Sequence, residues 1–148
     1  MHKIFLILPI TFILLGCGGS ALNNIENEIN SKDILTKNSW YEVCEDNSSN
    51  IYKFFNDHYI KYSYKDENFT NKSSENSHKI LEYTEAGFSL EDKKCAVSNV
   101  VELDNNKTIN VDSILVECAP TKSNSTRFQL FIAWKNKNLA KDNKTKCF

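Results

Sequence analysis

The feature that most constrains the fold is a two-residue alternation of apolar and other side chains, repeated in short segments from Ser39 to Lys135. Successive residues of a β-strand point to opposite faces, so this period predicts strands with one mainly apolar face. The segments are separated by Asn, Asp, Ser and Gly, which are typical of turns. The alternation is clearest near the C-terminus, where one face carries Phe128, Leu130, Ile132 and Trp134.

Eight segments are predicted as strands: 40–44, 50–55, 58–65, 78–84, 87–90, 95–103, 107–118 and 126–135. The hairpin with Asn56-Asp57 at its turn is the clearest local prediction, because both residues tolerate a positive φ. Residues 66–77 are predicted as a polar loop and residues 136–148 as a polar tail. The pattern indicates an all-β antiparallel meander. Closure into a small barrel would hide both sheet edges, and a β-sandwich is the alternative.

The N-terminal segment has a charged start and an apolar run from Ile4 to Leu15, which ends in Leu14-Leu15-Gly16-Cys17. The run is too short to cross a bilayer as a helix and is typical of an export signal. Leu-Leu-Gly-Cys resembles the lipobox of bacterial lipoproteins. The resemblance implies cleavage between Gly16 and Cys17, a diacylglyceryl thioether on the Cys17 sulfur, and acylation of the new amino terminus.

Lipidation would place the chain at a membrane surface. One acyl chain binds a bilayer only marginally, whereas two or more hold a protein stably. Residues 18 and 19 are both Gly, and in such lipoproteins an Asp after the cysteine is the usual inner-membrane retention signal. The expected location is therefore the outer membrane, facing the periplasm, in a cell that has one. The predicted organisation is a signal peptide (1–16), a lipidated tether (17–38) and a β-barrel domain (39–148). Within the tether, Leu22, Ile25 and Ile29 indicate one or two turns of weak helix, followed by a second short turn capped by Ser31.

Four cysteines remain once Cys17 is assigned to lipid, and an even number in an exported chain predicts two disulfides. Three connectivities are open. The strand positions favour Cys95–Cys118, which would join neighbouring strands, and Cys44–Cys147, which would tie the tail to the first strand. A metal site would need closely spaced Cys or His ligands, which the sequence lacks, so none is expected.

A second resemblance involves the start of the domain. Leu35 followed by Trp40, and then the hairpin segment Phe54-Phe55-Asn56-Asp57-His58-Tyr59-Ile60, resemble the beginning of small bacterial lipocalin-like lipoproteins. Asn38-Ser39 stands where those proteins usually have Gly, and His58 replaces the turn Gly. The resemblance implies an eight-stranded barrel in which Trp40 packs across the closed end and has a structural role.

No catalytic motif or phosphate-binding glycine loop is present, so neither an enzyme nor a cofactor is expected. The single arginine and a net charge of −1 disfavour nucleic acid binding. Aromatic residues near the first hairpins suggest either a barrel mouth that stacks a small apolar ligand or, preferably, core filling. They are Tyr52, Phe54, Tyr59, Tyr62, Tyr64, Phe69 and Tyr83.

Three Asn-x-Ser/Thr motifs carry an acidic residue two positions before the asparagine, at Asn47, Asn68 and Asn106. This pattern resembles the extended acceptor sequence of bacterial oligosaccharyltransferases. All three lie in predicted turns or loops, where a glycan would fit. They are retained as candidate acceptors, although such motifs also arise by chance in an Asn-rich chain.

Two functional hypotheses follow from the sequence. In the first, a membrane-anchored lipocalin-like domain has a structural or ligand-binding role in the cell envelope. In the second, the lipoprotein binds a periplasmic protein, in the manner of small barrel inhibitors of lysozyme. The second requires a recognition loop, for which Ser123-Asn124-Ser125-Thr126 is a weak candidate. A filled interior with a protruding segment would favour the protein partner, and an open cavity would favour a small ligand.

Overall fold

A computed structural model describes residues 30–103, 109–122 and 128–148. The described elements are α1 (Ser31–Lys37), β1 (Ser39–Val43), β2 (Ser49–Phe54), β3 (His58–Tyr64), β4 (Lys72–Lys79), β5 (Glu82–Thr84), β6 (Gly87–Ser89), β7 (Lys93–Leu103), β8 (Ile109–Pro120), β9 (Phe128–Trp134) and α2 (Lys137–Asp142). The predicted sites at Gly16, Cys17 and Asn106 lie outside these ranges, as does the candidate recognition loop 123–126.

The strands form one antiparallel sheet in the order β4-β3-β2-β1-β9-β8-β7-β6-β5. The predicted all-β meander is therefore confirmed, with nine described strands in place of about eight. The last strand returns to the first, where Tyr41 pairs with Trp134. The edge strands β4 and β5 follow each other in the chain but do not pair in the described sheet, so the sheet is not closed.

The two ends of the sheet nevertheless lie close to each other. The Phe88 ring of β6 lies 5.6 Å from that of Phe54 in β2 and 6.0 Å from that of Tyr59 in β3. The Tyr83 hydroxyl donates a hydrogen bond to the Phe55 carbonyl at 2.6 Å. The sheet is thus folded so that strands far apart in its order face each other across one core.

The region 66–84 differs from the prediction. Residues 72–77 are predicted as part of a polar loop but belong to β4, and the predicted strand 78–84 is interrupted between β4 and β5. β4 is exposed along all eight residues, so it lacks the alternation that identifies a half-buried strand. The interruption occurs at buried Ile80, whose N–H donates to the Asp57 carbonyl at 2.7 Å, outside the strand ladders.

α1 closes one end of the core. Leu35 and Trp40 are fully buried, and the Trp40 indole N–H donates to the Leu35 carbonyl at 3.2 Å. The helix cap is Asn30, whose side chain accepts from the Lys32 N–H, so the prediction of Ser31 as cap was wrong. Ser31 is buried, and its hydroxyl lies 2.8 Å from the Gly87 carbonyl, which joins α1 to β6.

The C-terminal segment is not only a polar tail, because it contains α2. The Asn136 side chain caps this helix by accepting from the Leu139 N–H at 2.9 Å. Its single fully buried residue, Ala140, packs with Val43, Ile51 and Phe69 in a second apolar cluster. A helix held by one small apolar residue gives little hydrophobic periodicity in the sequence.

Two disulfides join Cys44 to Cys147 and Cys95 to Cys118, which is the connectivity that the strand positions favoured. Cys95 and Cys118 lie directly opposite each other on β7 and β8. Cys44 follows β1 and forms an isolated parallel bridge with Thr145, so the second disulfide reinforces backbone contacts between the tail and β1. Among the described residues, no helix is long and apolar enough to cross a bilayer.

Candidate functional site

A buried polar cluster lies on the inner face of β1, β2 and β3. Glu42 is 2% exposed, and one oxygen of its carboxylate accepts hydrogen bonds from the Tyr52 hydroxyl at 2.7 Å and the Asn50 amide at 2.9 Å. The Asn50 carbonyl oxygen accepts in turn from the Ser63 hydroxyl at 2.8 Å. A buried carboxyl group is tolerated only when such partners replace water.

Strand register explains why these residues meet. Glu42 pairs with Asn50, and Asn50 pairs with Ser63 on the next strand, so all three project from one face of the sheet. Tyr52 lies two residues after Asn50 and therefore shares that face. The Lys61 ammonium lies 5.6 Å from the centre of the Tyr52 ring. The cluster therefore contains a carboxyl group, an amide, two hydroxyls and, at its margin, a cation.

Burial shapes the protonation of the cluster. Burial raises the pKa of Glu42 above its ordinary value, although hydrogen bonds from Tyr52 and Asn50 and the charge of Lys61 partly oppose the shift. Burial, followed by the charge of Glu42, raises the pKa of Tyr52 well above its ordinary value. The hydroxyl therefore remains a hydrogen-bond donor over the ordinary pH range, and the carboxyl group is the member that titrates.

The cluster adjoins the Cys44–Cys147 disulfide. The Asn50 amide nitrogen lies 3.9 Å from the Cys44 sulfur. Potential ligand atoms of Glu42, Cys44 and Cys147 lie within 4.8 Å of one another. The two sulfurs are bonded to each other, so they do not supply the thiolates that a zinc site of this kind would need. These residues fit a structural junction better than a metal centre.

Aromatic rings largely fill the core around which the sheet is folded. The Tyr52 and Phe131 rings stack with centroids 3.8 Å apart, and Phe54 packs on Tyr59 at 5.1 Å. Outside the core, an open depression of about 190 Å³ lies beside the disulfide and is lined by Cys44, Glu45, Asp46, Lys146 and Cys147. In the part of the chain that the structure describes, the aromatic residues noted in the sequence thus mainly fill the core.

β4 forms an exposed ribbon with β3. β4 is an edge strand, and every one of its eight residues is exposed. The His78 ring stacks on Tyr59 with centroids 4.6 Å apart. Partial desolvation and the charges of Lys93 and Lys61 lower the pKa of His78. This strand presents polar and charged groups to solvent on both faces.

Two of the candidate acceptor asparagines, Asn47 and Asn68, lie on exposed turns at the same end of the sheet. The Lys144 ammonium joins these turns, because it donates to Asn47 Oδ1 at 2.6 Å and to Glu67 Oε2 at 2.6 Å. Asn106, the third candidate, lies outside the described residues, as does the predicted lipidation site at Cys17 with its neighbour Gly16.

The sequence reading missed both the Glu42 cluster and the β4 ribbon. A signal for the cluster was present, because Trp40, Glu42 and Cys44 share one parity in the first predicted strand. An acid between an aromatic residue and a disulfide cysteine on one face indicates a buried, hydrogen-bonded carboxyl group. The β4 segment, KSSENSHK, has no comparable apolar signal.

Comparison with known proteins adds no family or function. No protein-family model matches the chain, and no significant match was found among curated proteins or solved structures.

Glu42 makes the stability of the domain depend on pH. The pKa of Glu42 is raised in the folded state, so its contribution is fully present below the unfolded-state pKa and is lost as pH rises through the folded-state pKa. We expect the free energy of unfolding of the wild type, relative to that of Glu42→Gln, to fall as pH increases from 4 to 8. Each pKa unit corresponds to about 1.4 kcal/mol. Urea denaturation at several pH values measures this difference.

A matched control is Glu45→Gln, which alters an exposed carboxylate on the turn after β1. Subtracting variant from wild type is necessary because hydrogen bonds lower the pKa values of Asp46 and Asp66, which contribute with the opposite sign. A wild-type profile parallel to that of Glu42→Gln would contradict the proposed burial of a titrating carboxyl group.

Proposed function

We propose that the chain is a lipid-anchored envelope protein whose β domain binds another envelope protein through β4. The observation that carries the proposal is the complete exposure of β4 at the edge of the sheet. An edge strand offers unpaired backbone N–H and C=O groups, to which an extended segment of a partner can add as a further strand.

The filled interior favours a protein partner over a small ligand. Stacked aromatic rings occupy the space that a lipocalin-type ligand would need. The depression beside the disulfide is open to solvent and has a mixed polar lining, unlike the enclosed apolar pockets typical of small-molecule sites. We also infer a lipocalin-like barrel that is interrupted between β4 and β5, because all other strands pair in sequence and β1 pairs with β9.

The side chains of β4 suggest how binding is made selective. Lys72, Glu75 and Lys79 place charges of both signs along the edge. Charges on an edge strand oppose indiscriminate pairing with other sheets. A partner with complementary charges would recover the backbone hydrogen bonds without that electrostatic penalty, so the same residues would provide specificity.

In-cell photo-crosslinking tests this surface. A photoreactive amino acid at Ser74 or Ser77 in β4 is expected to give an adduct of the same mass with one envelope protein. The same amino acid at Glu91, an exposed residue of the turn between β6 and β7, is expected to give none. Equal adducts from all three positions, or none from β4, would reject β4 as the binding surface.

Anchoring is tested separately through Cys17. Wild-type protein is expected to incorporate labelled palmitate and to sediment with membranes, whereas Cys17→Ala protein is expected to remain unlabelled. Two or more acyl chains bind far more strongly than the marginal affinity of one chain. An unlabelled, soluble wild type would reject the lipid anchor and leave the crosslinking result to stand alone.

A further inference from the structure

We propose that Asn68 is an N-glycosylation site and that the folded domain presents it to a transferase while withholding Asn47. Both asparagines have the same sequence context, with an acid two residues before and a hydroxyl residue two residues after. In the folded domain, the two motifs differ in the exposure of their hydroxyl residues. The proposal concerns a modification and does not rest on β4 as a binding surface.

The segment around Asn68 is a compact turn organised by Asp66. The Asp66 carboxylate accepts from the backbone N–H groups of Asn68 at 2.9 Å and Asn71 at 2.6 Å, and from the Thr70 hydroxyl at 3.1 Å. Phe69 has a φ of 59° and is 7% exposed, so its ring anchors the turn in the second apolar cluster. Asn68 and Thr70, on either side of it, are exposed.

The Asn68 side chain is also oriented suitably for modification. Its Oδ1 accepts a hydrogen bond from the Lys141 ammonium at 2.7 Å. Among the described residues, this is the hydrogen bond that the Asn68 side chain makes, and it leaves Nδ2 outside the contact. Nδ2 is the atom that an N-linked sugar would occupy. The acceptor amide and the Thr70 hydroxyl therefore lie together on the exposed side of the turn.

The Asn47 side chain is also exposed, and its Oδ1 likewise accepts from a lysine ammonium, that of Lys144, so the difference between the two motifs lies in the hydroxyl residue. The hydroxyl residue of the Asn47 motif is Ser49, the first residue of β2, which is 1% exposed. The Ser49 hydroxyl donates to the Asp66 carbonyl at 2.6 Å, and its backbone pairs with Val43 and Tyr64 on the two adjacent strands. A transferase could reach this hydroxyl only after β2 had separated from its neighbours.

The reaction requires an oligosaccharide linked to a polyprenyl diphosphate as donor and a membrane oligosaccharyltransferase. The Asn68 Nδ2 attacks the anomeric carbon, and a bond between that carbon and Nδ2 forms. The bond from the anomeric carbon to the diphosphate oxygen breaks, the polyprenyl diphosphate leaves, and one amide proton passes to a base of the transferase. No oxidation or reduction occurs. Asn68 lies at the end of the sheet opposite Ser39 and α1, because it follows Tyr64 of β3, which pairs with Ser49, and Ser49 pairs with Val43 at the far end of β1.

Mass spectrometry of the full chain purified from its own cells tests the proposal. We expect an intact mass above that of the lipidated polypeptide and a glycan on the peptide that contains Asn68, with Asn47 unoccupied. Asn68→Gln and Thr70→Ala should each abolish the increment at this site. Thr70→Ser should retain it, because serine supplies the exposed hydroxyl that the motif requires.

A comparison of folded and unfolded protein separates accessibility from sequence preference. One sample is oxidised and folded, and the other is reduced, unfolded in urea and diluted immediately before the assay. Both are incubated with a bacterial oligosaccharyltransferase and its polyprenyl-linked donor. We expect Asn68 to be modified in both, and Asn47 only in the unfolded sample. An intact native mass equal to that of the lipidated polypeptide would overturn the proposal, and so would equal modification of Asn47 in the folded sample.

Discussion

The double variant Cys44→Ala/Cys147→Ala is expected to lose about 4 to 5 kcal/mol of stability, as the chain-entropy relation gives for a loop of roughly 100 residues. This disulfide links residues 103 positions apart and so restricts most of the unfolded domain. The change should appear as a lower urea midpoint under oxidising conditions. A steeper denaturant dependence should accompany it, because the unfolded chain becomes more expanded.

Most of this loss should arise in the unfolded state. In the folded state, the tail is also held by backbone hydrogen bonds from Thr145 N–H to Val43 at 2.9 Å and from Glu45 N–H to Thr145 at 2.9 Å. The docking of Ala140 holds α2 in addition. The near-ultraviolet circular dichroism of the variant in buffer should therefore resemble that of the wild type.

Lys146→Ala is the matched control, because it changes an exposed neighbour and leaves the disulfide intact. Its urea midpoint should equal that of the wild type. A loss below about 1 kcal/mol in the cysteine variant would contradict the entropic account, since loops of this length are expected to contribute several times more.

The sequence predicted the strands whose segments are rich in apolar residues and separated by clear turns. β2 and β3 were found because Asn56 and Asp57 mark the turn between them, although neither residue has the positive φ on which the prediction rested. β9 was found from its regular alternation, but the structure buries the opposite face from the one predicted as apolar, since Phe131 and Ala133 are buried and Phe128 is 41% exposed. β4 was missed because it has no buried face, and α2 was missed because its one buried residue packs against residues distant in sequence. β4 is held by backbone pairing with β3, and α2 is held by one buried alanine.

The candidate site was less predictable than the fold. The side chains that satisfy Glu42 come from β2, and their arrangement depends on the exact register between β1 and β2. A shift of one residue would move Asn50 to the other face. The difference between Asn47 and Asn68 likewise follows from the burial of Ser49. In the sequence, the Ser49 hydroxyl is not distinguished from the hydroxyls of the other Asn-x-Ser/Thr motifs. Composition and spacing do not distinguish a hydroxyl at a strand start from one on a turn.

Gly87 is the position where tertiary contact most restricts side-chain size. It is buried in β6 and pairs with Ala96 of β7. A Cβ atom at this position would lie 1.9 Å from the Cys95 carbonyl oxygen and 2.9 Å from its carbonyl carbon. These are backbone atoms, so no rotamer change removes the overlap. The Gly87 carbonyl also accepts from the Ser31 hydroxyl, so a shift of β6 would disturb the attachment of α1.

Gly87→Ala is therefore expected to lower the free energy of unfolding by about 3 kcal/mol, the upper part of the range for overpacked sites. The smaller entropy of an unfolded chain with alanine would offset only about 0.4 to 1 kcal/mol of this. Urea denaturation measures the loss, and amide exchange should show faster opening of α1 and β6. Ser89→Ala, in the same strand, keeps an existing Cβ and should have a much smaller effect. A Gly87→Ala protein as stable as Ser89→Ala would show that β6 and β7 are not packed as closely as the register requires.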